Sequence, residues 1–167
     1  MPMGCATYDH VSERLLDGIS TVLLRIGAEA DALLPTLPAL IGKALKGDLD
    51  AAGDASILIL AQARAKAMSP FDAVPLADLF ARQANARDTA PDNLRVAAVC
   101  SLKACHARAL GNEGLAAMHE GESFFMAECA AAKGDQSVEV LLTAMAEALS
   151  PQAVQIARDL SNAKKGG

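Results

Sequence analysis

The residues able to do chemistry gather in one stretch, Asp92 to Gly134. It holds Cys100, Cys105, Cys129, His106, His119 and the carboxylate Glu122. Imidazole, thiolate and carboxylate are the side chains that ligate transition metals or move protons near neutral pH. Helical spacing decides which of them can meet. On a helix following Asp92, one side carries Leu94, Ala98, Leu102, Cys105, His106 and Leu110. Cys100 points elsewhere, so Cys100 and Cys105 are not a chelating pair. On the next helix Leu115, Met118, Phe125, Met126 and Cys129 form the expected apolar face. Glu122 falls in the middle of that face and His119 at its edge. A carboxylate inside an apolar face demands a partner.

Three readings of this cluster follow. Glu122 bonds a structural partner such as Arg95, Arg64 or His106. Alternatively, His119 and Glu122 line a groove that receives a protein segment. Or His106, His119, Glu122 and a thiol bind a metal, or act as acid and base. The di-iron helical pattern requires Glu-x-x-His on two helices, whereas here the order is His119-x-x-Glu122, once. No phosphate-binding glycine loop, nucleophile elbow or zinc motif accompanies it. Cys105 and Cys129 read as core thiols, and Cys100, near Lys103, as the redox candidate. Phe124 lies opposite Phe125. It is either the second apolar face of a stacked helix or an exposed aromatic at a binding surface.

The elements that position these residues are all helices. Apolar residues make up 52% of the 167-residue chain, but aromatics only 3%, and no long alternating run argues for a strand. About eight helices are expected. The first follows Asp9, with Val11, Leu15, Ile19, Val22, Leu23 and Ile26 on one face, and ends at Pro35. Others cover Leu37–Lys46, Leu49–Met68 and a segment from Pro70 or Ala73 to Ala86. Four more begin at Asp92 or Asn93, Glu113, Ser137 and Pro151. Ile57-Leu58-Ile59-Leu60 is apolar on every side, which marks its helix as central. Asp92 or Asn93 is the expected cap of the fifth helix, and Ser150 that of the eighth.

Charge and cysteine usage exclude several classes. A formal charge of -5 and a pI near 5.1 argue against general affinity for nucleic acid. Four cysteines without framework spacing point to free thiols in the cytoplasm. No signal peptide is read at the N-terminus, and no apolar run approaches the roughly 20 residues of a membrane span.

Asp48, Asp92 and Asp135 open helices 44 and then 43 residues apart. Phe80 lies 32 residues after Asp48, and Phe125 lies 33 after Asp92. Each unit turns at a small or polar site: Ser69-Pro70, Gly111-Asn112 and Ser150-Pro151. A two-helix unit at this period is the mark of an α-solenoid. The junction Ala127-Glu128-Cys129-Ala130-Ala131-Ala132-Lys133-Gly134-Asp135 resembles that between tetratricopeptide or Sel1-like repeats, and Leu149-Ser150-Pro151-Gln152 with Ala157-Arg158-Asp159-Leu160 is similar to their closing helix. The likeness spans Asp48 to Leu160. It implies a concave surface that binds a protein or peptide. The aromatic and Leu-Gly positions of the family's first helix are absent, so no binding residue is carried over.

The expectation is a single all-α domain of stacked antiparallel helix pairs. Residues 1–47 form N-terminal helices, 48–91, 92–134 and 135–161 form pair units, and 162–167 form a tail. The alternative is a globular helical bundle. The expected function is a non-enzymatic protein-interaction module without cofactor, nucleic acid or membrane, with His119, Glu122 and Phe124 as partner-binding candidates. The alternatives are a small-molecule or metal-binding bundle using His106, His119 and Glu122, and a self-associating structural protein, a homodimer.

Overall fold

A computed structural model of the protein describes residues 37–64, 68–134 and 136–166. The amphipathic helix expected after Asp9, and Cys5, lie outside them. The fold is all-α, with seven helices and no strand among the described residues: α1 Leu37–Leu45, α2 Leu49–Arg64, α3 Pro70–Ala84, α4 Ala90–Ala109, α5 Glu113–Ala132, α6 Gln136–Ala148 and α7 Pro151–Gly166. No described helix is long and apolar enough to cross a membrane.

Local chemistry sets most boundaries. The Asp48 carboxylate accepts from the Ala51 amide and caps α2. Asn112 caps α5 through the Leu115 amide, after Gly111 takes the left-handed turn at φ 79°. Ser150 caps α7 through the Ala153 amide, as expected from Ser150-Pro151. α3 starts at the earlier of its two expected positions, which places Pro75 inside the helix.

Two boundaries differ from expectation. The cap of α4 is Thr89, which accepts from the Asp92 amide, with a proline in the first turn. Asp92 and Asn93 are instead buried within its first turn. The expected tail from 162 is helical to Gly166. Lys164 there donates to Cys129 Sγ at 3.4 Å, so the last turn of α7 is held against α5.

Side-chain contacts fix the helix directions. Asp78 and Arg82 of α3 meet Lys103 and Cys100 of α4, and Phe71 meets His106, so α3 and α4 are antiparallel. Ser101 faces Ser123 while Arg108 faces Glu120, so α4 and α5 are also antiparallel. Gly121 lies against Ala153 and Ile156, and Cys129 against Lys164, so α7 runs parallel to α5. Thus α3, α5 and α7 share one direction. Most helices pack on their chain neighbours, but α7 rests on α5 more than on α6.

The core is made of small side chains. α2 is buried on most of its surface, through Ala51, Ala52, Ala55, Leu58, Ile59, Leu60 and Ala63, as its unbroken apolar run predicts. Its buried Ser56 donates to the Gly53 carbonyl, which satisfies the hydroxyl within the helix. Between α4 and α5, Ser123 donates to the Ala97 carbonyl at 2.8 Å, leaving Ser101 to donate to Ser123 at 2.8 Å. A serine reaching the facing backbone requires helices in near contact. At Gly121 the approach is closer still: a Cβ there would stand 2.7 Å from the Ala153 carbonyl oxygen.

A buried ionic knot ties α2 to α4. Asp92 is fully buried and accepts from Arg87 Nη2 at 2.9 Å, Arg95 Nη1 at 2.7 Å and Thr89 Oγ1 at 2.6 Å. Arg87 also pairs with Asp50 of α2. Burial by itself would raise the Asp92 pKa, but the Arg87 and Thr89 hydrogen bonds and the two guanidinium charges outweigh it and hold the carboxyl below its usual range.

The packing and the ionic knot set the expected stability of several variants. Gly121→Ala should lower the unfolding free energy in urea by about 1–3 kcal/mol through overpacking. Gly42→Ala on α1, where a Cβ meets nothing within 4 Å, should raise it by up to about 1 kcal/mol. Equal and small effects at both sites would show that α5 and α7 are not in close contact. Asp92→Asn should destabilise by roughly 3–5 kcal/mol by stranding the buried Arg95 guanidinium. Because the folded-state pKa of Asp92 is depressed, its contribution is complete above the unfolded value of 3.8 and is lost as pH falls through the folded value. Stability measured from pH 6 downward should therefore drop less steeply in Asp92→Asn than in the parent.

Candidate functional site

A seam lies where side chains bridge α3 and α5, both of which pack on α4, and it holds a group of interacting, partly exposed ionisable residues. Asp78, Arg82, Lys103 and Glu122 form a continuous ionic chain across it. Lys103 Nζ donates to Asp78 Oδ2 at 2.9 Å, Arg82 Nε to Asp78 Oδ1 at 2.9 Å, and Arg82 Nη2 to Glu122 Oε1 at 2.5 Å. On α3, Asp78 and Arg82 are one turn apart, which lets one aspartate hold both cations. The links cross from helix to helix, so they fix α3 relative to α5.

Glu122 therefore does have a partner, but it is Arg82. Arg95 is committed to Asp92, and His106 stacks edge-on against Phe71 with ring centroids 4.6 Å apart and planes at 88°. Glu122 is also only partly buried. His119 lies half-buried beside it, with Nδ1 enclosed and without a hydrogen-bond partner. Burial, then the Lys103 charge, lower its pKa below the usual 6.5, against the opposing pull of Glu122 and Asp78. The imidazole is neutral at physiological pH and aims an unengaged nitrogen inward.

The structure does not assemble a metal centre from the predicted trio. Among the described residues no three His, Cys, Asp or Glu side chains converge on one point. Cys100 is not the redox thiol the sequence suggested. It is fully buried, and desolvation followed by the Glu122 charge pushes its pKa up, so it stays a thiol, with Arg82 Nη2 at 3.8 Å from its sulfur. Cys129 is buried as expected, whereas Cys105 is only half-buried. Phe124 is separated from His119 and Glu122. It packs partly against the core and faces α7.

Around the ionic chain stand large apolar side chains exposed to solvent. They run from Leu115 at 39% and Met118 at 43% to Leu79 at 56%, Leu110 at 66% and Phe71 at 67%. Phe71, Pro75 and Leu79 recur every four residues along α3 and share its outer side with Asp78 and Arg82. On α5, Leu115, Met118, His119 and Glu122 form the matching stripe. The result is an apolar surface crossed by fixed, paired charges.

One buried charge went unforeseen. Glu120 is fully buried and pairs with Arg108, which also meets Glu113 at 3.4 Å. Its signal was present. Ala116, Ser123, Ala127 and Ala130 make a row of small residues along the α4-facing side of α5, and Glu120 interrupts it. The expected apolar face placed large side chains inward, where small ones belong.

The His119 environment yields a direct test. By NMR its imidazole should titrate below 6.5, lower still in Glu122→Gln and higher in Lys103→Ala. The sign for stability follows. A depressed histidine pKa favours the folded state above the unfolded value of 6.5, and that contribution fades as pH falls through the folded value. A His119 titrating at or above 6.5, indifferent to both substitutions, would contradict the geometry.

No protein-family model matches this chain, nor does any curated protein or solved structure. Its function must be read from the surface just described.

Proposed function

We propose that this chain is a non-enzymatic protein-interaction module whose docking surface is the seam between α3 and α5. One observation carries the reading: five large apolar side chains stand exposed around a pre-formed chain of ion pairs. An interface of this kind gains energy from desolvating Phe71, Leu79 and Leu115, while fixed charges discriminate between partners. The seam is anchored at both sides by hydrogen bonds, which limits the ordering cost on binding. His119 and Glu122 take part as polar contacts at its centre. A cytoplasmic setting is part of this reading, one in which buried thiols such as Cys100 and Cys129 stay reduced.

A second copy of the chain is the next reading. Asp78 and Glu122 balance Arg82 and Lys103, and a surface carrying both signs equally can pair with itself about a two-fold axis.

Photo-crosslinking in the native cell tests the proposal. A benzophenone amino acid at Leu79 or Met118 should yield discrete adducts. The same group at Val140 on α6, which is 76% exposed but off the seam, should not. Adducts of twice the chain mass would select self-association. No adduct at the seam, or the same adducts at Val140, would remove the proposal.

A further inference from the structure

A second surface lies on another side of α5, and its chemistry differs. Two grooves of about 440 and 430 Å³ lie along α7. They share Glu128, Ser161 and Lys165. Their apolar lining includes Phe124 and Phe125 of α5 and Ala157 of α7. Their rim carries Arg158, Lys164 and Lys165, with Lys133 at one end. Lys133 is already engaged with Asp88 and Asn93, and Lys164 touches Cys129 Sγ, so Arg158 and Lys165, with Lys164 beside them, make the cationic edge of α7. In a chain of net charge -5, three α7 cations against the single carboxylate Glu128 are a local reversal of sign.

We infer that the α7 grooves bind an acidic, amphipathic protein segment, its apolar side chains over Phe124 and Phe125 and its carboxylates against Arg158, Lys164 and Lys165. Two grooves of this size take several side chains, more than a single ion requires. The apolar floor asks for a ligand with apolar groups, and the rim asks for negative charge beside them. That pairing describes an acidic helix laid into a groove, with side chains anchored at helical spacing. Glu128 sits between the two grooves, half-buried, and burial raises its pKa despite nearby Lys165. A carboxyl group in that place accepts a hydrogen bond from a side-chain amide or hydroxyl of the bound segment. This surface is independent of the α3–α5 seam and can be tested separately.

The test is selection of random peptides of about twelve residues on the purified full chain. Lys164→Glu/Lys165→Glu serves as the counter-target, and Phe71→Asp as the seam control. Circular dichroism melts first establish that both variants fold. Enriched peptides should be acidic with apolar residues spaced three or four apart. Their affinity should fall at least about ten-fold in Lys164→Glu/Lys165→Glu, fall with added salt, and be unchanged in Phe71→Asp. Three results would overturn the inference: no enrichment, enrichment of neutral or basic peptides, or equal binding to the charge-reversed variant. Binding of the chain to phosphatidylserine vesicles in preference to the selected peptides would assign the grooves to a lipid surface and would equally overturn it. Loss of binding in Phe71→Asp alone would place the peptides on the seam.

Discussion

The close approach of α4 and α5 is the constraint from which the rest of the structure follows. A chain with so few aromatic residues cannot fill wide gaps between helices. It must instead bring backbones together, which only small side chains allow. Ala97, Ser101 and Ala104 on α4 meet Ala116, Ser123, Ala127 and Ala130 on α5, all buried. The Ser123 hydroxyl reaching the Ala97 carbonyl is the direct sign of that proximity. Gly121 does the same for α7. Once small residues occupy the contact lines, large ones are displaced outward. Leu110, Leu115 and Met118 stand in solvent for this reason, and the exposed surface proposed as a docking site is a consequence of how the core is built.

Charge is handled in two distinct ways. Asp92 and Glu120 are removed from water entirely and matched with arginines at close range. Such pairs contribute little net stability relative to apolar replacements, but they penalise any arrangement that separates them. They therefore act on register, fixing α4 against α2 and against α5. Asp78, Arg82, Lys103 and Glu122 remain accessible. There the value of each pair for folding is small, while its value for recognising a partner is larger because binding would desolvate it. The same α5 helix thus carries a structural carboxylate at Glu120 and a surface carboxylate at Glu122, two residues apart and on different sides.

The helices were largely legible in the sequence because capping residues and prolines are local signals. Asp48, Asn112 and Ser150-Pro151 each cap the helix they precede. Thr89 was less visible because Asp92 and Asn93, equally good caps by type, follow it closely, and only burial distinguishes them. The burial of α2 on most of its surface could be read from Ile57 to Leu60, where apolar residues cover every direction. The orientation of α5 could not be read from its large apolar residues. Periodicity reports which residues share a side, and it does not say whether a side of alanines or a side of leucines turns inward. That one ambiguity placed Glu122 in the core, overlooked Glu120, and gave Cys100 an accessibility it lacks. The neighbours of His119 depend on contacts across 16 to 41 residues of chain, from Lys103 to Asp78, and no local signal carries those.

Hydrogen exchange of the free protein tests this account most directly. If α4 and α5 form the close-packed frame, the amides from Ala97 to Ala104 and from Ser123 to Ala130 should be the last to exchange. Those of α3 around Asp78 and Arg82 should be protected without any partner, because the ionic chain already holds them. Rapid exchange along α5 near Glu122, or an α4 that opens before α6, would contradict it.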